Sequence, residues 1–176
     1  MPTILPFRGI TPGVAGDAFV APGCRLIGDV EIGAGASIWY NSVLRGDIGR
    51  IRVGARSNLQ DGTIVHVEGG RHDTLIGDDV LVGHMVMLHG CILHDRAFVG
   101  MGAIVMDGCE IEPQGRLAAG ALLTPGKRVP ARQLWAGRPA RYMRDLTDAE
   151  VAGHDDVIAR YVALAAEHRA MLTGGA

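Results

Sequence analysis

Aliphatic residues recur every six positions along most of this chain. Val14, Val20, Leu26, Ile32, Ile38 and Leu44 hold the spacing without a slip. It resumes at Val53, Leu59 and Val65 and again at Ile76, Val82 and Leu88, then runs through Leu93, Val99, Val105, Ile111, Leu117, Leu123 and Val129. A small or β-branched residue stands four positions after the aliphatic, as at Cys24, Ala36, Ser42, Thr63, Val86, Ala103 and Ala121. A period of six is neither helical nor the alternation of a long strand. It is a hexapeptide repeat, in which short strands separated by turns stack as an all-β solenoid, a parallel β-helix with three strands to the coil. The aliphatic and the small residue both face inward, and nineteen hexads make about six coils. Composition agrees: 26 glycines and only 5% aromatic residues describe a chain that turns often and buries aliphatic groups, not rings.

The period breaks in three places. Three extra residues between Leu44 and Val53 predict a bulge near Asp47–Arg50, and five between Val65 and Ile76 predict a projecting loop at Glu68–Asp73. Leu88 to Leu93 is one residue short. Insertions in solenoids go outward at corners and often build sites. The organisation expected is a lead-in over 1–12, a β-helix over 13–140 closed by Trp135-Ala-Gly-Arg-Pro139, and a helix over 147–172. The capping box Thr147-Asp-Ala-Glu150 starts that helix, and Val151, Ile158, Val162, Ala165 and Leu172 form its apolar stripe.

A formal net charge of −2 gives no basic surface for nucleic acid and no polybasic run for a membrane. The first residues do not read as a signal peptide, and no apolar run is long enough to span a bilayer. Three cysteines suit a reducing compartment, so a cytoplasmic protein is expected. Cys24, Cys91 and Cys109 all take the small inward position and read as core residues.

The histidines follow a different logic. Leu44, Val65 and Leu88 begin the same face on successive coils, so the residues after them, Arg45, His66 and His89, point outward in one column. His66 and His89 then lie on adjacent coils about 5 Å apart at Cα, close enough to converge on one ion. His84 follows the turn on the preceding face, so one prism does not unite the three. A third imidazole could come from His84 of a neighbour in a cyclic assembly, and a threefold trimer would make three such sites.

Arg45-Gly-Asp47, Asn58-x-Gln60-Asp61-Gly62, His66 and Gly83-His84-x4-His89-Gly90 together resemble the gamma-class carbonic anhydrases and their bacterial relatives, within the hexapeptide-repeat transferase superfamily. The resemblance covers essentially the whole chain and implies a left-handed β-helix. It implies a homotrimer whose metal sites are shared between subunits, with His66 and His89 from one chain and His84 from its neighbour. The metal implied is Zn²⁺, with Fe²⁺ or Co²⁺ as alternatives. The activity implied is reversible hydration of CO₂ to bicarbonate by metal-activated water. In that scheme Gln60 orients the water, Asp61 accepts a hydrogen bond or proton, Asn58 supports the polar shell, and Tyr161 matches a tyrosine near the site. Arg45 and Asp47 would form an interfacial ion pair. The chain departs from the family archetype at Ile48, where a Glu stands, and at Ala163, where an Asn stands. Its loop after the first ligand is short, leaving His72 or Glu68 as candidates for a proton shuttle. The same scaffold also hosts acyl-CoA thioesterases and acyltransferases and weakly active assembly proteins, which are the alternative readings.

Overall fold

The computed structural model describes residues 1–172 and residue 174. The chain winds as a left-handed parallel β-helix with a single C-terminal helix. One face stacks seven parallel strands, from Phe19–Val20 up to Gln133–Ala136. The closing strand adds a rung to the count taken from hexads alone, placing Trp135 directly above Leu117. The other two faces form one continuous sheet, because the strands Arg25–Ile32 and Val43–Val53 run on round the edge between them.

Both inward series are buried as the period requires. Leu26, Leu44, Leu59, Leu88, Ile111 and Leu123 are fully enclosed, and so are Cys24, Ala36, Ser42, Thr63, Ala103 and Cys109. Most turns place one residue in the left-handed region, three positions after the aliphatic. Glycine serves at Gly102 and Gly120, whereas Asn41, Asp79 and Gln114 hold it with side chains. The three cysteines stay reduced within the core. Burial pushes the Cys24 thiol up to about 11 and raises Cys91 and Cys109 as well, so none is poised as a thiolate.

The insertions go where the broken period puts them. Residues 47–50 bulge opposite Asp29, because pairing passes from Gly28↔Gly46 to Val30↔Ile51. Glu68–His72 closes as a tight turn, and the two insertions meet where Ile48 lies against Gly69. Arg50 pairs with Asp73 across them at 2.8 Å. After the turn at Gly137 comes a strand that the hexads do not announce, Arg141–Asp145, antiparallel to Gln133–Ala136.

The helix Asp148–Leu172 lies on its own prism, on the seven-stranded face. Thr147 and Glu150 cap it reciprocally, with the Thr147 N–H donating to Glu150 Oε2 and the Glu150 N–H donating to Thr147 Oγ1. His154, Ile158 and Ala165 are buried against the strands, and Tyr161 and Leu164 pack beside them. Twenty-five residues span about 37 Å. Seven rungs span only about 29 Å. The helix therefore overhangs the stack, and Leu172 at the end of the expected stripe remains exposed. No helix among the described residues is long and apolar enough to cross a membrane.

His154 makes this docking pH-sensitive. Its Nε2–H donates to the Asp79 carbonyl at 2.7 Å beneath the helix. Burial holds its pKa below the ordinary imidazole value; the Asp79 carbonyl pulls upward, while Arg116 and Arg96 add repulsion and Asp155 opposes it. Below about pH 6.5 the unfolded chain binds a proton that the folded chain refuses, so stability falls as pH drops from there toward the folded pKa. A melting series from about pH 8 to pH 5 is expected to show a smaller decline for His154→Gln than for wild type. Equal slopes would show that His154 does not contribute.

Candidate metal centre

The site residues divide between two edges of the prism. At the edge after the second face, His66 and His89 stand in register on adjacent strands, Ile64–His66 and Met87–His89. Their ring centroids are 5.1 Å apart, and His66 Nδ1 faces His89 Nε2 at 3.1 Å. The remaining nitrogen of each ring meets a carboxylate: His66 Nε2 lies 3.0 Å from Asp47 Oδ1, and His89 Nδ1 lies 2.5 Å from Asp107 Oδ1. An ionised carboxylate only accepts, so each ring donates its N–H there, and the two facing nitrogens both present lone pairs. That contact is repulsive unless a proton or a cation lies between them. Two nitrogens on one tetrahedral zinc stand about 3.3 Å apart, so the pair has the bite of a chelate.

Asp47 also takes Arg45, with Nη1 at 2.5 Å from its second oxygen. Burial disfavours its charge, but the bonds from His66 and Arg45 outweigh that and hold the carboxyl below the usual value. The ion pair read from the sequence thus exists within one chain, and Asp47 serves His66 as well.

The other edge carries the rest. His84 Nδ1 lies 2.9 Å from Asp61 Oδ2, so Nε2 is free, and both side chains are about half exposed. Gln60 and Asn58 are buried beside Asp61, where Gln60 Nε2 donates to Asn58 Oδ1 at 3.3 Å. The Asn58 Nδ2 group has no hydrogen-bond partner among the described residues. Tyr161 reaches this edge from the helix, its ring edge-on to Trp39 at 5.7 Å. Burial raises its hydroxyl pKa, and the Asp61 carboxylate adds to the rise.

One chain therefore unites His66 with His89 but leaves His84 apart. Among the described residues no group of three donors is placed to hold an ion. Between the two edges runs the face that carries Ile64–His66 and Met87–His89, whose outward column is Val43, Ile64, Met87, Ile104 and Leu122. The helix covers a different face, so Ile64 and Met87 stand 39% and 44% exposed.

Asp107 is the residue that sequence reading missed. The period gave no direct signal: the coil after Leu88 is one residue short, Leu88 pairs with Val105, and Asp107 therefore stands one position beyond the register partner of His89. His72 packs close by, against Gly90 and Gly108, and forms a loose pair with Glu68 at 3.8 Å.

No family model matches the chain. It is 47% identical over 164 residues to gamma carbonic anhydrase 1, mitochondrial, of Arabidopsis thaliana, covering 90% of this chain and 60% of the plant protein. The chain thus spans about 60% of the length of that relative. The crystal structure of a hexapeptide transferase family protein from Anaplasma phagocytophilum superposes with a TM-score of 0.90 at 47% identity, covering 94% of this chain and 97% of that one. A putative acetyltransferase from Bacillus cereus gives a TM-score of 0.94 at 35% identity, covering 97% and 98%. The hexad period, the paired imidazoles and these likenesses agree: the chain belongs to the gamma carbonic anhydrase-like family of hexapeptide-repeat proteins.

Proposed function

We propose that this protein is a zinc-dependent carbonic anhydrase of gamma type, acting at the interfaces of a homotrimer. One observation carries the reading: three histidines are each held by an aspartate, two present facing nitrogens 3.1 Å apart, and the third stands across an open apolar face. Threefold packing through that face would bring His84 of one subunit to His66 and His89 of the next. A column in which Ile64 and Met87 are exposed and Ile104 and Leu122 partly so is the kind of surface that an oligomer covers.

Zinc held by three neutral imidazoles would supply the Lewis acidity that makes water a nucleophile near neutral pH. Fe²⁺ or Co²⁺ would fit the same donors. Gln60, braced by Asn58, orients the attacking water. Asp61 aligns His84 and accepts a hydrogen bond at the reacting centre, with Tyr161 closing the pocket from the helix. Arg45 and Asp47 tie the interface. His72, exposed beside Asp107, passes protons to solvent, with Glu68 as its neighbour. The buried, reduced thiols support a cytoplasmic location.

Stopped-flow CO₂ hydration by zinc-reconstituted wild type is expected to exceed the metal-stripped protein by at least about 100-fold. His84→Ala is expected to match the stripped protein. A His84→Ala protein with wild-type turnover would sink the shared site. Transfer or hydrolysis of an acyl group is the second reading, favoured by the likeness to a protein titled a putative acetyltransferase. Acyl-CoA hydrolysis without CO₂ hydration, measured on the same zinc-loaded sample, would establish it instead.

A further inference from the structure

We infer that Asp107 is a positioning residue that keeps the metal-facing nitrogen of His89 free of its proton. The inference rests on the metal reading above.

The contact is built from two coils. His89 Nδ1 and Asp107 Oδ1 are 2.5 Å apart, with both side chains only partly exposed. Space for it is made by Gly90, where an added Cβ would stand 2.5 Å from Asp107 Oδ1. The backbone beneath is clamped as well. The buried Thr74 hydroxyl donates to the His66 carbonyl at 2.5 Å and accepts the Gly90 N–H at 3.0 Å, tying the chain at both histidines together. Backbone position is thus set by Thr74, which leaves ring orientation and tautomer to the carboxylate.

The need for that control follows from the 3.1 Å approach of His66 and His89. A neutral His89 has two tautomers. With its proton on Nε2, it would donate to His66 Nδ1 and close the pair on itself, so that neither nitrogen could take an ion. With its proton on Nδ1, it donates to Asp107 and leaves Nε2 open. A charge-assisted bond to a carboxylate is about twice as strong as the neutral ring-to-ring bond that competes with it. Asp107 therefore decides the competition in favour of the open pair. Asp47 acts on His66 in the same sense, but it also serves Arg45, so removing it confounds two functions. Among the described residues Asp107 has no such second cation partner, which makes it the clean test.

Two measurements on the full-length protein decide this. Two-bond ¹H–¹⁵N spectra of the metal-free protein report the His89 tautomer directly. Wild type is expected to show the Nδ1–H form and Asp107→Ala the Nε2–H form, with Asp107→Asn, which keeps an acceptor, nearer wild type. Zinc affinity, read by competition with a chromophoric chelator, is expected to fall about 10- to 100-fold in Asp107→Ala and less in Asp107→Asn. Circular dichroism checks that both variants keep the β-helix, as expected for a side chain at a turn. An Asp107→Ala protein with an unchanged tautomer, or with zinc affinity within about twofold of a zinc-binding wild type, overturns the inference. If wild type takes up no zinc, the metal reading fails by itself, and the tautomer comparison still decides what Asp107 does.

Discussion

Co-expressed His84→Ala and His89→Ala subunits are expected to recover about a quarter of the wild-type CO₂-hydration rate, although each variant alone is inactive. The number follows from the geometry. One edge of a subunit supplies the pair His66 and His89, and the opposite edge supplies His84 with Asp61. A trimer of one variant has every interface broken. In a mixed trimer, one interface joins the intact pair of a His84→Ala subunit to the intact His84 of a His89→Ala subunit. Random assembly makes about three quarters of trimers mixed, each with about one working site in three. A site complete within one chain would return nothing on mixing. Metal analysis of the same samples should follow the rate, because the lost group is a ligand.

The second large effect concerns the face that the helix leaves bare. Ile104 lies in the middle of its outward column, paired with Met87 below and Leu122 above. Its side chain contributes nothing to the prism interior, which Ala103 and Val105 fill. Ile104→Asp should therefore leave the β-helix folded. In a threefold interface the same change buries an unpaired carboxylate three times over, at a cost of several kcal/mol each. Sedimentation is expected to give the 18.6 kDa monomer instead of a trimer, with CO₂ hydration lost and the circular dichroism spectrum retained. A trimeric, active Ile104→Asp protein would move the interface to another face.

The carboxylates show where sequence reading stops. His66 and His89 could be paired from the hexads because Val65 and Leu88 set their register. Their aspartates stand at irregular distances along the chain. Asp107 follows His89 by eighteen residues across a coil that is one residue short, Asp47 precedes His66 by nineteen, and Asp61 precedes His84 by twenty-three. The last two intervals contain insertions, whose path the period does not describe. Asp47 was legible as the partner of Arg45, but its bond to His66 depends on how the bulge opposite Asp29 folds back.

The helix makes the same point from the other side. Its capping box and stripe predicted its existence, because caps and periodicity act within a few residues. Nothing in the stripe specified which flank it would cover. That was decided by Phe19, Trp39 and Tyr40 stacking with Tyr161 and His168, and by His154 reaching the Asp79 carbonyl.

By itself the sequence determined the coil, the inward and outward positions and the pairing of two histidines, because each coil of a solenoid packs only on its neighbours and a six-residue rule suffices to build it. Tertiary structure alone decided which face the helix covers, which face it leaves open and which carboxylate holds each ring. Those outcomes depend on side chains brought together from coils and insertions that no short period relates.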